Sequence, residues 1–146
     1  MRALIQRVKS AHVAVDQHVV GQIEQGLLVF VGLGKSDSLA TAEKLLKKIF
    51  AYRVFSDDTG RMNLNVQQVG GGVLLVSQFT LMADTKKGLR PDFGPAMPPD
   101  DAKQLFAQLL ELAKTMYDSV QTGEFGADMQ VSLVNDGPVT FMLDVD

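Results

Sequence analysis

The chain has no cysteine, which excludes disulfides, thiol nucleophiles and cysteine-ligated metals. That composition suits a reducing compartment, and a cytoplasmic location is the expectation. Histidine is scarce as well: His12 and His18 are the only two, too few for a histidine-rich metal site. A basic excess is also missing, since 14 Lys and Arg against 17 Asp and Glu leave a net charge of −3. Proteins that coat long stretches of nucleic-acid backbone carry a basic surface, because each neutralised phosphate adds affinity. Any RNA contact is therefore expected to be local, a grip on one end, and no DNA partner is expected. Long apolar runs are absent too. The longest, Gly26 to Gly34, is far too short to span a bilayer, so no membrane partner is expected. Met1–Arg7 meets a charge before any apolar run develops and does not resemble a secretory signal.

What is present fits one ordinary domain over residues 1–146: 46% of the residues are hydrophobic and 21% charged, without repeats, low-complexity tracts or linkers. Ala3 to Asp16 is rich in apolar and β-branched residues, with Ala11, Val13 and Val15 alternating against His12 and Ala14. Asp16–His18 is a turn, and Val19–Val20 begins another strand. Gly26–Leu33 and Val73–Val76 are apolar without alternation, the pattern of strands buried on both faces. A helix is expected through Leu39, Ala42, Leu45, Leu46, Ile49 and Phe50, capped from Ser36, Asp37 or Ser38, with Glu43 and Lys47 paired on its exposed face. A second helix, capped by Asp100, carries an apolar stripe from Ala102 through Leu105, Phe106, Leu109 and Ala113 to Val120 and stops at Gly123. Two alternating strands close the chain, Met129–Leu133 and Val139–Val145, and Asn135–Pro138 between them has the composition of a tight turn. Many strands with two main amphipathic helices give an α/β fold with mixed β-sheet layers. Two helices cannot cover both faces of such a sheet, so a second sheet layer or a partner subunit is expected over the remainder.

Ser77-Gln78-Phe79-Thr80 ends a buried strand, where α/β proteins place their sites, although a polar strand end also bonds its own backbone. A hydroxyl nucleophile there would need a general base, and the two early histidines are weak candidates for one. Lys86, Lys87 and Arg90 follow in the loop Ala83–Pro99; they read either as a solvated loop or as a small phosphate grip. Asp57-Asp58 and Asp100-Asp101 are explained by a turn and a helix cap. Neither a metal site nor a cofactor is expected.

Several blocks together resemble the bacterial D-aminoacyl-tRNA deacylase family over essentially the whole chain. They are Ala3-Leu4-Ile5-Gln6-Arg7-Val8, Tyr52–Asp57, Met62–Val66, Val76–Leu81, Gln121-Thr122-Gly123 and Ala127–Thr140. The resemblance implies a single compact domain of three layers, α/β/β, working as a homodimer with a site shared between subunits. It implies that Ser77, Gln78, Phe79 and Thr80 line the site of one subunit. Gly137 and Pro138, joined by a cis bond, would reach in from the other and screen chirality. Arg7 would support that Gly-Pro segment, with Met129, Asn135 and Thr140 as further supporting residues. No pattern is carried over to the loop Asp92–Pro99.

The implied activity is hydrolysis of the ester between a D-amino acid, or glycine, and the tRNA acceptor end, with L-aminoacyl-tRNA rejected. The scarcity of catalytic side chains fits it. A terminal ribose brings its own vicinal hydroxyl as internal nucleophile or proton relay, leaving the protein to hold the ester and stabilise the oxyanion with N–H groups around Phe79 and Thr80. Two alternatives stand beside this reading: an acyl-enzyme on Thr80, and a non-catalytic dimeric RNA-end binder.

Overall fold

Alternation through Ala3, Ile5, Ala11 and Val13 makes one long strand, β1 (Arg2–Val15), in the computed structural model, which describes residues 1–146. Asp16 and Gln17 reverse the chain with φ of 49° and 68°, the left-handed pair that a two-residue hairpin uses to match strand twist. β2 (His18–Ile23) and β3 (Gly26–Gly32) then run back along β1, in one register from Val13↔Gly21 to Arg2↔Gly32. The remaining elements are α1 (Leu39–Ala51), β4 (Phe55–Ser56), β5 (Met62–Leu64), β6 (Gly72–Ser77), α2 (Pro99–Met116), β7 (Val120–Thr122) and β8 (Gln130–Asp144). A 3-10 turn over Phe79–Met82 follows β6. The apolar runs behave as expected of central strands: β6 lies parallel to β3, and β7 parallel to β6.

Helix α1 begins after Ser38, whose N–H reaches the Thr41 hydroxyl at 3.3 Å, and its Lys47 pairs with Glu43 at 3.1 Å. Leu39 departs from the expected stripe: it is exposed, and Ala42, Leu45, Leu46, Ile49 and Phe50 carry the buried face. α2 starts at Pro99 rather than after an Asp100 cap. Proline needs no N–H at that position, and Asp100 and Asp101 sit in the first turn, where the helix end favours negative charge. It also ends earlier than expected. Tyr117 is extended, its hydroxyl donating to the Gly71 carbonyl, and Val120 pairs with Val73 as part of β7. Gly123 donates to the Leu75 carbonyl at 3.0 Å, so it continues the strand edge and stops no helix.

The two closing strands are one. β8 pairs with β1 from Arg2↔Asp144 to Ala14↔Gln130, with register shifts near Val8, so Asn135–Pro138 is a bulge within a strand and not a hairpin turn.

Leu27, Val29, Val31, Val73 and Leu75 face α1 and α2; their neighbours Leu28, Leu74 and Val76 face the other way. Val8, Ala11, Val13 and Ile23, with half-buried Met129, Val131 and Leu133, fold over that second face. The distal half of the hairpin is thus the second sheet layer, giving helices, sheet and sheet. Closure is nearly complete: a Cβ on Gly21 of β2 would stand 2.3 Å from the Thr122 carbonyl of β7, an approach only glycine allows. Between β4 and β5, Asp57 accepts from the Thr59 hydroxyl at 2.7 Å and from the N–H groups of Thr59 and Arg61 at 2.8 and 3.1 Å. The Thr59 hydroxyl and the Arg61 N–H hold its carboxyl below the usual carboxylate range, as turn chemistry. No helix is long and apolar enough to cross a membrane.

Candidate active site

β6 ends at Ser77, and there the chain tightens into the 3-10 turn. Gln78 donates its N–H to Val31 at 2.8 Å, which ties the exit of β6 to β3. Bonding within the turn starts only at Leu81, whose N–H reaches the Gln78 carbonyl at 3.2 Å. The N–H groups of Phe79 and Thr80 precede it and have no backbone acceptor, as the first donors of a helical turn generally lack one. The Gln78 amide donates to the Thr80 hydroxyl at 2.5 Å. No hydrogen bond joins Ser77 or Thr80 to either histidine: His12 pairs across the ribbon with Gln22 and Ser132, and His18 sits at the hairpin turn.

Beside this turn opens an apolar pocket of about 610 Å³. Ser77, Gln78 and Phe79 form one rim, with Thr80 just outside. Phe93, Ala96, Met97 and the prolines that open α2 form a second wall; Phe125–Met129 form a third. Met129, expected as a supporting residue, belongs here. The second wall is what sequence reasoning missed. Asp92–Pro99 carried no motif, yet Phe93 packs against Phe79 with ring centroids 5.1 Å apart and the rings tilted by 54°, and the Met97 N–H bonds the Leu33 carbonyl at 2.9 Å. The available signal was apolar residues lodged in a proline-rich loop.

The other expected residues gather elsewhere. Gly137 and Pro138, whose peptide bond is cis, form the crest of the β8 bulge. Arg7, mostly buried, reaches from β1 beneath it, donating through Nε to the Asp136 carbonyl at 3.0 Å and through Nη1 to the Val54 carbonyl at 2.7 Å. Asn135 closes the bulge: its oxygen accepts the Val139 N–H at 2.9 Å, and its Nδ2 meets the Thr140 hydroxyl at 2.9 Å. A turn composition becomes a stiff bulge because these side chains replace the missing ladder bonds.

Within one chain the two groups do not meet. Ser77 is opposite Val31 on β3, Val31 is opposite Ala3 on β1, and Gly137 lies beyond β1 on β8. Three strand spacings, on the order of 15 Å, lie between β6 and β8, and Gly137 is displaced further along β8 from Leu143, the residue opposite Ala3. Lys86, Lys87 and Arg90 are all exposed, on the loop between the 3-10 turn and Phe93.

A family model described as "D-Tyr-tRNA(Tyr) deacylase" matches residues 4–144. The chain is 62% identical over 146 residues to a D-aminoacyl-tRNA deacylase of Acinetobacter baumannii, covering 100% of this chain and 99% of that one. It is 63% identical over 145 residues to one of Acinetobacter baylyi, with 99% of each covered. Among solved structures, one titled c-Myc DNA Unwinding Element Binding Protein superposes with a TM-score of 0.96 at 37% identity, covering 100% of this chain and 99% of that one. Another, of a probable eukaryotic D-amino acid tRNA deacylase, superposes at 0.85 over 99% and 98% of the two chains; at 15% identity it speaks for the fold alone.

Proposed function

The chain belongs to the D-Tyr-tRNA(Tyr) deacylase family, and from that premise we infer how its residues act. The protein is a hydrolase of the D-aminoacyl-tRNA ester, releasing the D-amino acid and tRNA. Its working site combines the pocket of one subunit with the β8 bulge of another. The ester lies against Ser77–Thr80, and its carbonyl oxygen faces the N–H groups of Phe79 and Thr80 as the tetrahedral intermediate forms. The terminal ribose 2′-hydroxyl assists the displacement. Gly137 and Pro138 stand where an L side chain would project, and Arg7, Asn135 and Thr140 keep that backbone in place. Glycyl-tRNA passes the same filter. No cofactor enters the reading, and the cytoplasm, where aminoacyl-tRNA is made, is the proposed location.

The observation that carries this reading is a pair of unpartnered backbone donors at the rim of an apolar pocket, in a chain matching the deacylase family from residue 4 to residue 144. Incubation with D-tyrosyl-tRNA tests it: free D-tyrosine should appear in proportion to enzyme. Binding without release would leave an RNA-end binder instead.

Dimerisation has its own support. β8 is a 15-residue edge strand bonded to β1 on one side only, and Val134, Phe141 and Met142 stand exposed on it. A long apolar edge of this kind is a pairing surface. Sedimentation at micromolar concentration should give about twice the chain mass, as for a closed two-fold assembly. A fully active monomer would contradict the shared site.

A further inference from the structure

The segment between the 3-10 turn and Phe93 is a built finger. Asp84 and Asp92 exchange both backbone hydrogen bonds, at 2.7 and 3.0 Å. Their carboxylates are turned into the stem: Asp84 accepts the Lys86 N–H and Asp92 the Gly94 N–H, each at 2.9 Å. Gly88 bends the tip with φ of 72°, a left-handed conformation that disfavours other residues. Leu89 next to it is 103% exposed, more than any other large apolar side chain of the molecule. Lys86, Lys87 and Arg90 surround it, and none has an ion-pair partner in the chain.

A framed tip that holds a leucine in water among three unpaired cations fits the end of an RNA helix. There the flat face of the last base is no longer covered by a neighbour, and it accepts apolar contact without needing hydrogen bonds. The phosphates on either side accept the cations. Position agrees with chemistry, because the finger's stem runs straight into Phe93, which packs against Phe79 at the pocket rim. The finger thus rises from the rim at which a terminal ester would enter the pocket.

We propose that Leu89 seats against the uncovered base face where the acceptor strand of the substrate leaves its helix, while Lys86, Lys87 and Arg90 hold the flanking phosphates. The proposal rests on the deacylase reading of the pocket and assigns the finger to the body of the RNA, apart from the reacting ester.

The test compares wild type, Leu89→Ala, Leu89→Met and the pair Lys86→Glu with Lys87→Glu on two esters, D-tyrosyl-tRNA and D-tyrosyl-adenosine. Leu89→Ala should raise KM for the tRNA about tenfold, the scale set by burying one leucine side chain. Its kcat should hold, and the loss should be confined to the tRNA. Leu89→Met, with a similar apolar volume, should recover most of it. In a salt titration of tRNA affinity, Leu89→Ala should shift the log–log line downward without tilting it, whereas the double charge reversal should flatten it. Equal losses on both esters would overturn the proposal by making Leu89 a support of the pocket. A tRNA KM unchanged in Leu89→Ala would also overturn it, as would a variant that sediments as a monomer while wild type dimerises, since the tip would then contact a second copy. Wild-type inactivity on both esters would remove the deacylase reading, and the wedge with it.

Discussion

A D-aminoacyl-tRNA whose terminal ribose lacks the 2′-hydroxyl should be hydrolysed at least about a thousandfold more slowly than the ordinary substrate, because that hydroxyl, held beside the ester, takes the proton of the attacking water and passes it to the departing 3′-oxygen at an effective concentration no external group reaches. Thr80→Ala should lose less than tenfold, since what it removes is one hydrogen bond of about 1 kcal/mol. The contrast follows from the rim of the pocket. The Thr80 hydroxyl already accepts the Gln78 amide at 2.5 Å, and no imidazole is bonded to it that would take its proton. A weak nucleophile without a base attacks slowly. The backbone donors at Phe79 and Thr80 survive the substitution, so the oxyanion stays stabilised. The measurement is single-turnover deacylation of matched ribo- and deoxyribo-terminated substrates by both proteins. An acyl group trapped on Thr80, or a deoxy substrate cleaved at the normal rate, would turn the assignment over to covalent catalysis.

The second large effect concerns handedness. With the amino group and ester carbonyl fixed, exchanging D for L swaps the side chain with the α-hydrogen, so a wall on one side excludes every L-residue and cannot exclude glycine. Wild type should therefore hydrolyse D-aminoacyl- and glycyl-tRNA and discriminate against L-forms by more than the roughly 10–200-fold that a pocket sensing one methylene achieves. The proposed wall, Gly137-Pro138, is backbone, which cannot rotate aside. Gly137→Ala should spoil it. At φ of 138° a side chain is disfavoured, and the new Cβ would stand 2.7 Å from Val139 Cγ2 and 3.2 Å from Arg7 Nη2. The crest must shift, and the D-to-L ratio should fall at least about tenfold, as for a displaced positioning group. Arg7→Ala should do the same more gently while lowering stability by about 2 kcal/mol, because the Asp136 and Val54 carbonyls both lose a charged donor. Chemical denaturation separates the two effects. An unchanged D-to-L ratio in a folded Gly137→Ala protein, or glycyl-tRNA refused as firmly as the L-forms, would locate the discrimination elsewhere.

Central features of this fold were legible in the residues because they are local. The unalternating runs that became β3 and β6 could only be strands covered on both faces, and Leu45, Leu46 and Ile49 could only be the inner stripe of α1. What misled was also local. Tyr117 and Val120 continue the spacing of α2 by coincidence, and only pairing with β6 pulls Val120 into β7. Asn135–Pro138 has every residue of a turn, but its conformation is decided by Arg7, which lies well over a hundred positions away. The pocket wall at Phe93 and Met97 has no period at all, because a loop that folds over a cavity repeats nothing. The Ser77–Thr80 segment, the proposed catalytic one, stood out through its motif, and the space around it did not.

The seam between β1 and β8 has a consequence for the order of events in folding. It joins Arg2 to Asp144, the most distant partners in the sheet, so its loop-closure entropy is the largest of any pairing in the molecule. The pocket rim depends on β3 and β6, which are nearer in the chain and closed by α1 between them. A chain that has collapsed around its helices without zipping this seam would present the rim and its two donors but lack the bulge proposed to set handedness. If the β8 bulge is the chirality filter proposed above, fidelity in this architecture is a property of completed topology, because that element is carried on the pairing with the slowest expected search.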